Sequence, residues 1–122
     1  MKTFRDLLVW QKAHALALEI YRITRAFPAD ERYGLTSQMR RASVSIAANI
    51  VEGHQRSSKR EFVNFLVIAH SSLDELQYYL TLARDLCYLA EGTRRQCAII
   101  ADDVGKMLHG LRSHVQGELR HA

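Results

Sequence analysis

Five polar residues, Gln38, Arg41, Ser45, Asn49 and Glu52, recur at steps of three, four, four and three, which puts them on one face of a helix. Roughly 80° round the same helix runs an apolar row of Leu35, Met39, Ala42, Ile46 and Ile50. Solvated Lys and Glu ordinarily flank such a row, whereas short or planar hydrogen-bonding groups flank this one. Two chemistries suit the set: a polar network enclosed between packed helices, or a recognition surface. Catalysis is not among them. The chain has no phosphate-cradling glycine loop, no HExxH and no GxSxG. Its histidines, His14, His54, His70, His109, His114 and His121, include no i, i+4 pair, so no shared metal is expected. Asp74-Glu75 and Asp102-Asp103 each point to different helix faces. A Glu52–Glu61 carboxylate pair would be neutralised by Arg56, Lys59 and Arg60. The expectation is a non-enzyme without cofactor or metal.

A second locus is His54-Gln55-Arg56-Ser57-Ser58-Lys59-Arg60, which gathers three cations at the turn between the second and third helices. The positive end of the third helix adds to them, so RNA phosphates can be held there. Arg40 is expected to point outward and join such a surface with Arg56, Lys59 and Arg60, and Arg22, Arg25, Arg94 and Arg95 extend it. No aromatic is interleaved with the turn, so base stacking is not expected from it. A solvated loop is the plain alternative. Residues 1–60 hold eleven Lys or Arg against five Asp or Glu, and the remainder six against eight. This imbalance, within a net charge of +4, suits a polyanionic partner or front-to-back contact between copies.

Long helices must position these residues. Pro28 is the only proline and glycine is sparse at six, so few breakers interrupt 122 residues. A hydrophobic content of 48% is that of an ordinary globular protein able to bury a core without disulfides. The first helix runs over about 8–27, its seam Val9, Ala13, Leu16, Ile20, Ile23 and Phe27 stopped by Pro28. The second runs over about 35–54, with Gly53 near its end as a stop or a point of close backbone contact. The third, about 59–89, opens on a Ser58–Glu61 capping box and is expected to be the longest. The fourth, about 94–115, follows a Gly92 cap and a Thr93–Gln96 capping box, and leaves a polar tail at 116–122. Short links between long helices make this an all-α, antiparallel up-down-up-down four-helix bundle, read as one domain over 1–122.

In that bundle, facing positions of the second and third helices sum to about 114, one turn from an Arg41–Glu75 ion pair. Ser72 and Glu75 join the polar network, and Asn49 hydrogen-bonds across the interface to fix register. The third helix carries a second row, Phe65, Ser72, Tyr79, Leu82 and Leu86, with Tyr78 and Tyr88 nearby. It reads as either a homo-oligomer interface or a broad core stripe. Cys87 and Cys97 flank a turn and are expected to be small buried hydrophobes with reduced thiols, a disulfide between them being the alternative. No apolar run reaches the length of a membrane span, and no signal peptide is visible, so a cytoplasmic location is expected.

The second helix, followed by Ser58, Glu61-Phe62, Phe65-Leu66, Ala69, Ser72 and Glu75-Leu76, resembles the four helix bundle proteins. These are also known as the ribosomal RNA intervening-sequence proteins. Phe4-Arg5-Asp6-Leu7, Val9-Trp10-Gln11-Lys12-Ala13, Phe27-Pro28 and Glu31 with Tyr33-Gly34-Leu35 are similar to that family too. The resemblance spans about residues 4–89. It implies a bacterial, cytoplasmic, antiparallel bundle forming ring-like homo-oligomers of five subunits, with RNA as a proposed partner and no catalytic residues to carry over. The family is related to the accessory variability proteins of diversity-generating retroelements, pentameric barrels that bind nucleic acid and a reverse transcriptase. The leading expectation is thus a pentameric RNA-binding accessory protein. The competing one is an interaction scaffold for an acidic protein partner.

Overall fold

Each of the four apolar rows forms one helix. The computed structural model describes residues 3–120, with α1 at Leu8–Thr24, α2 at Leu35–Gln55, α3 at Lys59–Asp85 and α4 at Glu91–Arg120. A 3₁₀ turn at Phe4–Asp6 precedes α1, capped reciprocally by Thr3 and Asp6, and another at Ala29–Glu31 lies in the α1–α2 link. Each helix packs on its two neighbours and none on its diagonal, giving the antiparallel up-down-up-down bundle. Side-chain pairs fix the directions: Arg84 meets Glu91 at one end of α3 and α4, and Lys59 meets Glu118 at the other.

The core is one continuous cluster built from all four rows. Leu16 and Ile20 of α1, Met39 and Ile46 of α2, Leu73 and Leu76 of α3, and Val104 of α4 are fully enclosed. Burying each such side chain contributes about 1.5–3 kcal/mol. Among the described residues no helix is long and apolar enough to cross a membrane.

Several boundaries differ from the sequence reading. Helix α1 ends at Thr24, three residues before Phe27, and single hydrogen-bonded turns carry the chain to Pro28. The Thr24 hydroxyl donates back to the Ile20 and Tyr21 carbonyls, closing the last turn from inside. Helix α3 stops at Asp85 rather than near 89, and Cys87 takes a left-handed backbone with φ 64°. The Tyr88 amide then reaches the Ala83 carbonyl and the Cys87 amide the Arg84 carbonyl, both at 2.9 Å. This six-to-one, five-to-two pattern normally recruits glycine; here cysteine occupies it, and Cys87 is consequently exposed. Only Cys97 is buried, and burial pushes its thiol up to about 11. Both are free.

Because the chain turns at Cys87, α4 begins at Glu91, so Gly92 and Thr93 lie inside it and cap nothing. The helix continues to Arg120 where a tail was expected, and at 30 residues it, not α3, is the longest. At the start of α3 the Ser58 hydroxyl accepts from the Glu61 amide at 3.3 Å, without the expected return bond from Glu61.

Glu91 stands in the first turn of α4 and accepts from Arg84 at 2.8 Å and from Arg94 at 2.7 Å. The bonds from Arg94 and then Arg84 hold its carboxyl down to about 2. A carboxyl depressed in this way adds stability above its ordinary value of 4.5, lost as pH falls towards 2. Between pH 5 and pH 2.5 the melting temperature of the native chain should therefore fall further than that of Glu91→Gln. Parallel curves would dismiss the contribution.

Glycines separate by role. A Cβ on Gly53 would stand 2.8 Å from Phe62 Cδ1 and 2.9 Å from Phe65 Cβ, so α2 and α3 meet there at backbone distance. A Cβ on Gly92 meets nothing within 4 Å. Gly53→Ala should thus cost about 1–3 kcal/mol by overpacking, while Gly92→Ala should add about 0.5–1 kcal/mol through helix propensity. Denaturant midpoints of the two variants check both signs.

Candidate nucleic-acid and assembly surfaces

The polar row of α2 lies along the edge of the α2–α3 seam, and its members separate into three groups. Ser45 and Ser72 share a hydrogen bond of 2.8 Å across the seam, and the Asn49 amide donates to the Ser45 carbonyl at 2.7 Å and to its hydroxyl at 3.0 Å. These three half-buried residues form the enclosed part of the expected network. Asn49 contributes through Ser45 rather than by bridging the helices itself. Glu52 and Glu75 are exposed and bonded within their own helices, Glu52 to Arg56 at 2.9 Å and Glu75 to the Tyr79 hydroxyl at 2.9 Å. Gln38 and Arg41 are exposed.

The expected Arg41–Glu75 ion pair is not formed. Arg41 lies roughly 40° further round α2 than Ser45, off the seam, where water solvates its guanidinium at no cost. Ser45 meets Ser72, one turn beyond the Ala69 level set by positions summing to 114, because both side chains lean towards their own helix N-terminus.

Arg40, expected to face outward, is the more engaged of the two arginines. Its Nε donates to the Thr24 hydroxyl at 2.9 Å and its Nη2 to the Tyr21 carbonyl at 3.4 Å. Its guanidinium lies 4.7 Å from the centre of the Tyr21 ring. The cause is position: Arg40 falls on the side of α2 that faces α1. Arg40→Ala should cost about 1–2 kcal/mol, from a lost hydrogen bond and cation–π contact. Arg41→Ala should stay within about 0.5 kcal/mol. Equal losses in urea denaturation would contradict this assignment.

The basic turn between α2 and α3 is largely compensated. Arg56 pairs with Glu52 and lies 5.0 Å from the centre of the Phe65 ring, and Lys59 stands 3.5 Å from Glu118 of α4. Arg60 is exposed and has no carboxylate partner among the described residues. Of the arginines expected to extend this surface, Arg22 pairs with Glu19, and Arg94 and Arg95 converge on Glu91.

Uncompensated charge collects elsewhere, at the corner where α1 hands over to α2. Arg25, Arg32 and Arg40 have no carboxylate partner there among the described residues, and neither does Arg41 on another face of α2. Arg32 was missed from the sequence because it stands alone in a short link. The spacing that exposes it is Arg25 and Arg32 on either side of Pro28, a turn that folds them towards one another.

An apolar groove of about 500 Å³ lies between α1 and α2, lined by Trp10, Leu18, Tyr21, Val44, Ala48 and Val51 among others. Leu18 is 60% exposed and Val44 44%. At one end Trp10 stacks on His14, ring centres 5.0 Å apart, and Phe4 meets Trp10 edge-on at 4.9 Å. The second row of α3 is mostly covered within the chain: Phe65, Ser72, Tyr79, Leu82 and Tyr88 are half-buried, and Leu86 and Tyr78 remain exposed. His121 lies outside the described residues. Among the described residues no three His, Cys, Asp or Glu side chains converge as metal ligands.

The family model described as 23S rRNA-intervening sequence protein matches residues 5–110. The chain belongs to that family. The match covers all of α1 to α3 and two thirds of α4, well beyond the residues that carried the resemblance in the sequence. Among solved structures, a similar chain is a protein of unknown function from the S23 ribosomal protein family of Bacteroides thetaiotaomicron VPI-5482. It has a TM-score of 0.77 and 25% identity, covering 86% of this chain and 98% of that one. No curated protein matches.

Proposed function

We propose that the chain is a non-enzymatic RNA-binding accessory protein of the cytoplasm that assembles as a ring of five copies. The observation that carries the RNA reading is the α1–α2 corner, where Arg25, Arg32 and Arg40 line one cleft without carboxylate partners among the described residues, with Arg41 unpaired on another face of α2. Arginines left unpaired by their own fold attract polyanions, and planar guanidinium groups match phosphate geometry. Arg60 adds a further cation at the α2–α3 turn. Arg56 and Lys59 contribute less, because Glu52 and Glu118 hold them. The family description, which refers to 23S rRNA, makes RNA the first partner to test. Self-association is supported by the α1–α2 groove, since contiguous apolar patches rarely stay bare on soluble monomers. A second copy covering Leu18, Val44 and Ala48 buries them.

Labelled mixed-sequence RNA should bind with an affinity that falls steeply with salt, log K changing by about −0.7 per phosphate contact for each unit of log salt. Arg41→Glu with Arg60→Glu should weaken binding uniformly across sequences. Absence of RNA affinity at low salt removes the reading, and recovery of an acidic protein instead would assign the corner to a scaffold. Light scattering should give a pentamer for the native chain and smaller species for Leu18→Lys with Val44→Lys, with helicity unchanged. A native monomer at micromolar concentration would dismiss the ring.

A further inference from the structure

The arginines of the α1–α2 corner enclose a space. A cleft of about 180 Å³ opens between the last turn of α1, the Pro28 link and the first turn of α2. Arg25, Arg32 and Arg40 line it together with Thr24 and Thr36, and no carboxylate does. The nearest acids in sequence are otherwise placed. Glu31 accepts from the Leu35 amide at 3.1 Å and from the Tyr88 hydroxyl at 2.9 Å, and Asp30 is exposed and outside the lining. Three arginines thus line one concavity whose walls carry no carboxylate, so their charge is not offset from within it.

Two features point to a particular kind of anion. Arg40 is fixed in place by Thr24, the Tyr21 carbonyl and the Tyr21 ring, and its Nη1 has no acceptor among the described residues. Thr36 is only 7% exposed, yet its hydroxyl has no hydrogen-bond partner among the described residues. Thr36 lines the cleft, so its hydroxyl can donate to an acceptor that enters. A tetrahedral oxyanion offers several acceptor oxygens to such a set, and guanidinium groups grip it bidentately. A small concave site suits a chain end better than a backbone that must enter and leave, and three cations balance a dianion better than a monoanionic diester.

We propose that this cleft binds the phosphate monoester at the end of an RNA strand, an assignment that rests on RNA being the partner. Inorganic phosphate, compared with chloride at equal ionic strength, should raise the melting temperature of the native chain in a concentration-dependent way. Arg25→Gln with Arg32→Gln, at exposed positions that leave the fold intact, should abolish that rise, and Thr36→Val should reduce it. A 5′-phosphorylated RNA should bind at least about tenfold tighter than its 5′-hydroxyl counterpart, a difference of one or two charge-assisted hydrogen bonds. The double variant should bind both alike. If phosphate stabilises native and variant chains equally, or neither, the cleft is no phosphate site. If it stabilises only the native chain while both RNAs bind alike, the ligand is free phosphate and the RNA-end assignment falls. Loss of RNA affinity altogether overturns the broader reading instead, and the phosphate titration tells the two failures apart.

Discussion

The bundle depends on how closely α2 approaches α3. At Gly53 the two backbones come near enough that one methyl group would collide with Phe62 and Phe65. Along the same face Ser45 meets Ser72 hydroxyl to hydroxyl. Small residues allow the approach, and the hydroxyl contact and the Asn49 amide keep its polar edge satisfied. This pair makes the most extensive helix contact in the molecule. A helix drawn in so far presents little side-chain bulk on its other faces. Val44, Ala47, Ala48 and Val51 form the α2 side of the groove beside α1, and the bulkier Trp10, Leu18 and Tyr21 stand as its other wall.

Charge follows the same geometry. Helix α4 brings its acidic residues onto cations at the bundle ends: Glu118 onto Lys59, and Glu91 onto Arg84, Arg94 and Arg95. Those carboxylates are consumed where the helices turn. None reaches the α1–α2 corner, and of the two acids in the link Glu31 is turned to the Leu35 amide and the Tyr88 hydroxyl while Asp30 lies outside the cleft lining. Part of the front-half excess of positive charge therefore gathers at one corner. A basic cleft and an apolar groove consequently lie on neighbouring parts of the α1–α2 face, so assembly through the groove would repeat the cleft round a ring.

What the sequence determined by itself was periodic and local. Four apolar rows at helical spacing, one proline and short links specify an antiparallel bundle, because burial of a row on each helix leaves few other arrangements. The Gly53 contact was open to reading as well, since a glycine inside a strong apolar pattern signals close approach. Terminations were less legible: Cys87 supplied the left-handed residue that a search for glycine placed at Gly92, and the fourth helix began earlier as a result. Tertiary structure alone decided which polar side chains meet. Arg40 and Arg41 are adjacent in sequence, yet one is clamped on Tyr21 and the other stands in water. Arg25, Arg32, Arg40 and Thr36 come together only when the Pro28 link folds α2 back along α1. Long flexible side chains choose partners by fractions of a helical turn and by what the opposite helix presents, and neither quantity is written in spacing along one chain.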